Sequence, residues 1–376
     1  MFVRATDYAL PTAADYATMA PHRHMRGRKE AEIGMPPMHV WRAWENTTSN
    51  TGLYLAALSF QFRATGDIEI LQRARRTFGA VKYIYDLGAT DERGFICKPY
   101  GGEYNRQSSS DQIQCLLMGL EAYRHIASPG DRSVLDEMFR TIADLQIKHH
   151  YYPKHGYFGT PTTREHIEDN KRKWSIAAIF VPLLHRAWVA TGDAKYLQEI
   201  DGWYARCEVN RIIPVPAGTV RGSPAARMLY LPSLMMELDP RQHRLWRGLM
   251  LERFRVMRTG VLPDGTMYSG WTHDYVTGET KPTSPGFGGG PTRTGRSSIF
   301  AWGCVNAQQW FPDEQMAATA RKILEGLDLD TFRFILPATP GDTLPADWKT
   351  EGELLDHDSL VGWLLAYWDG VWRGYW

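Results

Sequence analysis

Carboxylates are the side chains best suited to passing a proton to or from a reacting oxygen, and the first candidate is Asp111. It follows Ser108-Ser109-Ser110 and opens an amphipathic stretch, with Tyr100, Tyr104, Arg106 and Gln112 close by in sequence. A carboxyl group held among aromatic side chains can serve as general acid or base. Asp is equally a good helix cap, so a purely structural role fits the same residue. A second acidic run, Arg164-Glu165-His166-Ile167-Glu168-Asp169-Asn170, offers acids, an imidazole and an amide in one loop. Asp111 and Asp169 facing each other across a cleft would allow a two-carboxylate hydrolysis. One would protonate the leaving oxygen and the other would activate water. A solvated charge run accounts for residues 164–170 as well.

A different chemistry is available in Trp271-Thr272-His273-Asp274-Tyr275 and in the Gly-rich run from Gly286 to Arg296. Tyr275 or His273 can remove the proton beside a uronate carboxylate, Asn170 can neutralise that carboxylate, and Arg293 and Arg296 can pair with it. The Gly-rich run lacks the Gly-Lys-Ser/Thr ending and preceding strand of a phosphate loop. Trp44, Trp174 and Trp271 are candidates to stack on sugar rings, and Asn46 to bind hydroxyls. Asp356-His357-Asp358 invites a metal reading. No further residues with ligand spacing accompany it, and helix capping explains it, so neither metal nor cofactor is expected.

The elements that must position these residues repeat along the chain. Short turns separate amphipathic segments at Ala64-Thr65-Gly66-Asp67, Ser128-Pro129-Gly130-Asp131, Ala190-Thr191-Gly192-Asp193, Glu237-Leu238-Asp239-Pro240 and Trp310-Phe311-Pro312-Asp313. In the first three, Gly supplies a left-handed residue that ends one helix and Asp caps the next. In the other two, Asp or Pro marks the boundary. The flanking periodicity is helical: Ile176, Ile179, Phe180, Leu183, Leu184 and Ala187 share a face, as do Leu135, Met138, Phe139, Ile142 and Leu145. Leu360, Trp363, Leu364, Tyr367, Trp368 and Val371 repeat the pattern. Strands are scarce, with short ones expected in the loops. Longer connections cover approximately residues 89–110, 151–172, 208–224, 260–297 and 327–356. Short and long links alternate, so the long loops are expected to emerge at one end of the helices. Five hairpins are visible, and a short helix near Pro11–Met19 would pair with the last one to make six. No linker interrupts them, so residues 1–376 read as a single all-α domain.

This pattern resembles the six-hairpin, or (α/α)6, toroid of many glycoside hydrolases and polysaccharide lyases. The segment from Asp111 through Gly119 to Tyr123-Arg124 looks like the start of the second hairpin in unsaturated glucuronyl hydrolases and their rhamnogalacturonyl relatives. The resemblance implies a catalytic Asp at Asp111. Pro182-Leu183-Leu184, Ala187-Trp188 and Thr191-Gly192-Asp193 resemble the third hairpin of that family. The position matching the family's second catalytic Asp carries Ile176 here, and the nearest acids are Glu168 and Asp169.

Composition narrows the function further. The formal net charge of +1 leaves no electrostatic footprint for nucleic acid or an anionic membrane. The chain starts without an apolar leader, and Cys97, Cys115, Cys207 and Cys304 form no CxxC pair, which points to a reducing cytoplasm. With 14 Trp and 18 Tyr, a surplus of rings is available for stacking on sugars. The expectation is a glycoside hydrolase acting on an oligosaccharide or polysaccharide that carries a uronic acid. A uronate polysaccharide lyase on the same toroid is the alternative, and a non-catalytic glycan-binding toroid a third reading. Terpenoid cyclase chemistry lacks its DxDD or DDxxD motif. Oligomeric state is left open.

Overall fold

The computed structural model describes residues 47–100, 103–105, 108–151, 174–206, 219–222, 227–263, 265, 267–268, 271–282, 294–328, 333–334, 353–354 and 357–376. The chain divides into two compact units, Met1–Glu208 and Val209–Trp376.

In the first unit, the described helices come in pairs: α1 (Thr47–Thr65) with α2 (Ile68–Ala89), α3 (Ser110–Arg124) with α4 (Pro129–Lys148), and α5 (Trp174–Thr191) with α6 (Ala194–Arg206). The first member of each pair is buried almost all round, whereas α2, α4 and α6 each keep a polar face in solvent. Buried and amphipathic helices therefore alternate along the sequence. A small antiparallel hairpin, β1 (Lys98–Tyr100) and β2 (Glu103–Asn105), sits in the connection from α2 to α3.

The turns explain why these helices stop where they do. At the first, Thr65 donates its hydroxyl to the Gln61 carbonyl and accepts the Asp67 N–H. Gly66 takes a left-handed φ of 67°, and Asp67 accepts from the Glu69 N–H at 2.8 Å. The third turn repeats this with Thr191, Gly192 (φ 71°), Asp193 and the Lys195 N–H at 2.9 Å. The second turn departs from expectation. Ser128, not Asp131, is the cap, accepting from the Asp131 N–H at 3.2 Å. Pro129 fixes the first helical residue, so Gly130 lies inside α4 and is not left-handed.

The helices α1 and α3 meet with almost no side chain between them. A Cβ on Gly119 would lie 2.1 Å from the Gly52 carbonyl oxygen, and one on Gly52 would lie 2.5 Å from the Cys115 carbonyl oxygen. Glycine is required at both places because the backbones themselves are in contact. Further along α3, Glu121 takes a bidentate grip from Arg186 of α5, with N–O distances of 2.7 Å.

The second unit follows the same plan. Its described helices are α7 (Arg227–Leu238), α8 (His243–Arg258), α9 (Thr294–Gln308), α10 (Glu314–Glu325) and α11 (His357–Arg373). Here α7, α9 and α11 are the more buried members, while α8 and α10 are amphipathic. A single 3-10 turn, Pro240–Gln242, joins α7 to α8; Asp239 before it makes no capping bond and pairs instead with Arg241 at 3.1 Å. Asp313 caps α10 by accepting from the Met316 N–H at 3.0 Å. Between α9 and α11, Asp369 is fully buried, accepting from the Trp302 indole N–H at 3.0 Å and from Arg373 at 2.7 Å. The described strands lie in the long connections. One antiparallel sheet contains β3 (Thr219–Gly222), β4 (Trp271–Asp274) and β5 (Thr280–Pro282); another contains β6 (Leu327–Asp328), β7 (Arg333–Phe334) and β8 (Glu353–Leu354). The expected helix near Pro11–Met19 lies outside the described residues.

Candidate active site

In the first unit, the N-terminal ends of α1 and α3 are tied together through polar groups. The Gln112 amide oxygen accepts the Ser49 N–H at 2.9 Å, and the Thr48 hydroxyl ties the start of α1 to the segment before β1 by donating to the Cys97 carbonyl at 2.7 Å. Thr47, Thr48, Ser49, Asn50 and Gln112 are all buried. Such a polar start to two buried helices is affordable only where its groups find partners.

Several of them have none. Asn50 Oδ1, Ser108 Oγ, Ser109 Oγ and Asp111 Oδ1 are buried atoms that make no hydrogen bond. Ser109 occupies the cap position of α3, yet its hydroxyl makes no capping bond; Asp111 lies in the first helical turn. The capping role that Asp111 was equally suited to in sequence is therefore unused. Each unsatisfied buried polar atom costs about 1–3 kcal/mol, so a group of them in one corner marks a place that a ligand or ordered water completes. A carboxylate, two hydroxyls and an amide oxygen together can both accept from and donate to sugar hydroxyls. Gln112 itself is committed to Ser49, which makes it a positioning residue for the two helix starts.

The second unit holds the other described candidates. His273 and Tyr275 touch edge to face, with ring centroids 4.5 Å apart, and His273 Nδ1 lies 2.8 Å from the Thr280 hydroxyl across the β4–β5 pair. The Tyr275 hydroxyl is buried and has no hydrogen-bond partner. Burial pushes the phenol above its ordinary range, and the nearby Glu252 charge pushes it further, with Arg255 opposing. Burial likewise raises the Glu252 carboxyl. Trp271 is fully buried: its ring covers Gly260 and packs on Phe300 at 5.5 Å, and its indole N–H is given to Thr259. Its faces are occupied by the protein itself.

The remaining candidates cannot be placed in this way. Trp44, Asn46, Arg106, Asp169, Asn170 and Arg293 lie outside the described residues. The backbone of Tyr104 pairs with Pro99 in the β1–β2 hairpin, Trp174 is the first residue of α5, and Arg296 lies in the first turn of α9; their side chains lie outside the described set. The structure thus groups Asp111 and Gln112 in one unit, and His273, Tyr275 and Trp271 in the other.

Sequence reasoning gave less weight to Ser108 and Ser109, read as loop, and did not find Glu252 or Arg255 beside Tyr275. The run of three serines before Asp111 was the available signal for the first pair. Nothing in the spacing links residues 252 and 255 to residue 275, because that approach is tertiary. Among the described residues, no three His, Cys, Asp or Glu side chains form a group able to hold a metal ion. Cys97, Cys115 and Cys304 are buried free thiols, and burial pushes Cys97 and Cys304 well above the ordinary thiol range. No helix among the described residues is long and apolar enough to cross a membrane.

No family model matches the sequence, and no curated protein matches it. Solved structures do match in fold. A possible member of the GH105 family from Klebsiella pneumoniae aligns at 13% identity and a TM-score of 0.52, covering 97% of this chain and 98% of that one. A polysaccharide lyase aligns at 12% identity and a TM-score of 0.53, covering 90% and 96%. A cellobiose 2-epimerase from Bacillus thermoamylovorans aligns at 11% identity and a TM-score of 0.51, covering 85% and 87%. Identities this low speak to architecture and not to activity. The chain has the all-α, (α/α)6 six-hairpin barrel fold, shared with carbohydrate-processing hydrolases, lyases and epimerases.

Proposed function

We propose that this protein is a carbohydrate-active enzyme that cleaves a glycosidic linkage in a uronic-acid-containing oligosaccharide, with Asp111 as its acid/base carboxylate. The observation that carries this reading is the unpartnered, buried Oδ1 of Asp111, set beside the equally unpartnered Ser108 and Ser109 hydroxyls at the start of α3. A carboxylate that caps nothing and pairs with nothing among the described residues is available to a substrate. In the proposed reaction Asp111 gives its proton to the leaving oxygen, or to the double bond of an unsaturated uronate. Asp169, one loop onward in sequence, is the proposed partner that activates water. Asn50, Ser108 and Ser109 would take hydroxyls of the bound sugar. No cofactor is needed for this scheme. We read residues 1–376 as one barrel domain, supported by the near-complete coverage of both chains in the Klebsiella alignment.

Elimination by Tyr275 and His273 is the second reading, resting on the orphaned Tyr275 hydroxyl. The environment of Tyr275 speaks against its use as a base, because burial and Glu252 both disfavour the phenolate.

A panel of oligouronides, followed for new reducing ends and for the ultraviolet band of an unsaturated uronate, separates these chemistries. Appearance of the band reports elimination; its loss reports hydration of an unsaturated substrate; reducing ends alone report ordinary hydrolysis. Asp111→Asn is expected to abolish turnover while Tyr275→Phe retains it. The opposite pattern would make the enzyme a lyase, and full activity in both variants would remove both assignments.

A further inference from the structure

The exposed face of α8 carries more positive charge than the proposed reaction or the fold uses. Arg244, Arg247, Arg255 and Arg258 are all exposed, and Glu252 is the only acid on the helix. On a helix of 3.6 residues per turn these four arginines fall within about 80° of arc, and they run for about 21 Å along the axis. Arg241, in the 3-10 turn before α8, extends the row but is paired with Asp239. Arg258 is held by Asp313 at 3.1 Å, and Arg247 lies over the Phe311 ring at 4.9 Å, so both are fixed in place. Among the described residues no carboxylate lies within ion-pair distance of Arg244, Arg247 or Arg255. Like charges three residues apart on one helix repel, so the arrangement works against helix stability, and among the described residues only Arg258 of the four has a carboxylate partner.

We propose that this row is an accessory docking site for an anionic polysaccharide, a polyuronate chain lying along α8. The identity of the polymer rests on the uronate reading above; the row itself does not. Two other polyanions fit less well. An anionic membrane would need apolar surface to insert, but the apolar side of α8, with Trp246, Leu249, Met250, Phe254, Val256 and Met257, is buried in its own unit. Nucleic acid is normally met by a broad basic field, and the whole chain carries a formal net charge of only +1. A guanidinium row offers forked donors to carboxylates spaced along a flexible polymer.

Affinity electrophoresis through gels containing polygalacturonate, with a neutral glucan gel as reference, tests the proposal on the full-length protein. The wild type is expected to be retarded only by polygalacturonate, less so as salt is raised. R244E/R247E should lose affinity by about tenfold or more. R244A/R247A is expected to show the same loss in direction, and serves if circular dichroism finds the charge-reversed protein unfolded. Turnover of a short oligouronide should be the same in wild type and both variants. Equal retardation of variants and wild type would overturn the proposal. So would stronger competition by duplex DNA or phosphatidylserine vesicles than by free polygalacturonate at equal charge. Polymer binding lost in the variants, with no oligouronide turned over even by the wild type, leaves the docking site standing and removes the uronate-cleaving reading. Oligouronide turnover that depends on Asp111, with polymer binding indifferent to the arginines, does the reverse.

Discussion

A side chain whose hydrogen-bonding capacity is unused in the folded protein differs in its response to mutation from one whose capacity is filled. Asp111 Oδ1 makes no bond, so Asp111→Asn should lower kcat/KM by about a hundredfold or more and leave the thermal midpoint unchanged or raised. Thermal melts run beside the oligouronide assay check both halves. A fall in stability equal to the fall in activity would mark Asp111 as structural. Asp369 is the contrasting case. It is fully buried and holds both Trp302 and Arg373, whose side chain is itself only 14% exposed. Asp369→Leu leaves that guanidinium without its carboxylate, with Gln309 as its remaining side-chain acceptor, and should cost about 3–5 kcal/mol in urea denaturation. A loss under about 1 kcal/mol would show that Arg373 finds water instead. Sequence singled out Asp111 through its position after three serines, but not Asp369, which looks like one more acid on an amphipathic helix. What distinguishes them is burial and partnership, and both are tertiary.

At the level of elements, two devices shape the helical hairpins, and they differ in how visible they are in sequence. The Ala-Thr-Gly-Asp turns are local: back-bonding Thr, left-handed Gly and capping Asp act within a few residues, and the same bonds form at residues 65–69 and 191–195. Asp67→Ala and Asp193→Ala should therefore each destabilise by about 1 kcal/mol, measured by urea titration, with activity retained. The crossing of α1 and α3 is long-range. Gly119→Ala would press a methyl group into the Gly52 backbone, at the same crossing that brings Ser49 to Gln112. The expected outcome is a loss of about 1–3 kcal/mol together with a larger loss of activity than Asp67→Ala causes. Equal effects on activity would separate the crossing from the site. The Ser-Pro-Gly-Asp turn shows where local reading goes astray. Pro129 starts the helix three residues earlier than a cap at Asp131 would, so Ser128 takes the capping role.

For the molecule as a whole, the single-domain reading makes a thermodynamic prediction. The two compact units, Met1–Glu208 and Val209–Trp376, should unfold in one calorimetric transition, with calorimetric and van't Hoff enthalpies in agreement. Two separable peaks, or a stable fragment left by limited proteolysis near residue 208, would instead make them independent domains. The solved structures that align over most of their own length with most of this chain share one architecture and several chemistries. The barrel therefore constrains where a site is built far more than what it does.

Helix periodicity, the recurring turns and the alternation of short and long connections are properties of neighbouring residues. These specified an all-α repeat of five visible hairpins, and their resemblance to a six-hairpin toroid pointed to the architecture that the structural neighbours share. The long loops read as candidate places for chemistry, because loops of that length in a compact fold are usually functional. Tertiary structure decided which polar residues are spent on the fold and which are left over. Gln112 and Asp111 are adjacent in sequence and alike in polarity, yet one is bonded to Ser49 and the other retains a buried, unpartnered oxygen. Trp271 reads as a stacking platform in sequence, but its faces are covered by Gly260 and Phe300. Hydrogen bonds between residues some sixty positions apart follow from how helices pack, and spacing along the chain carries no record of that packing.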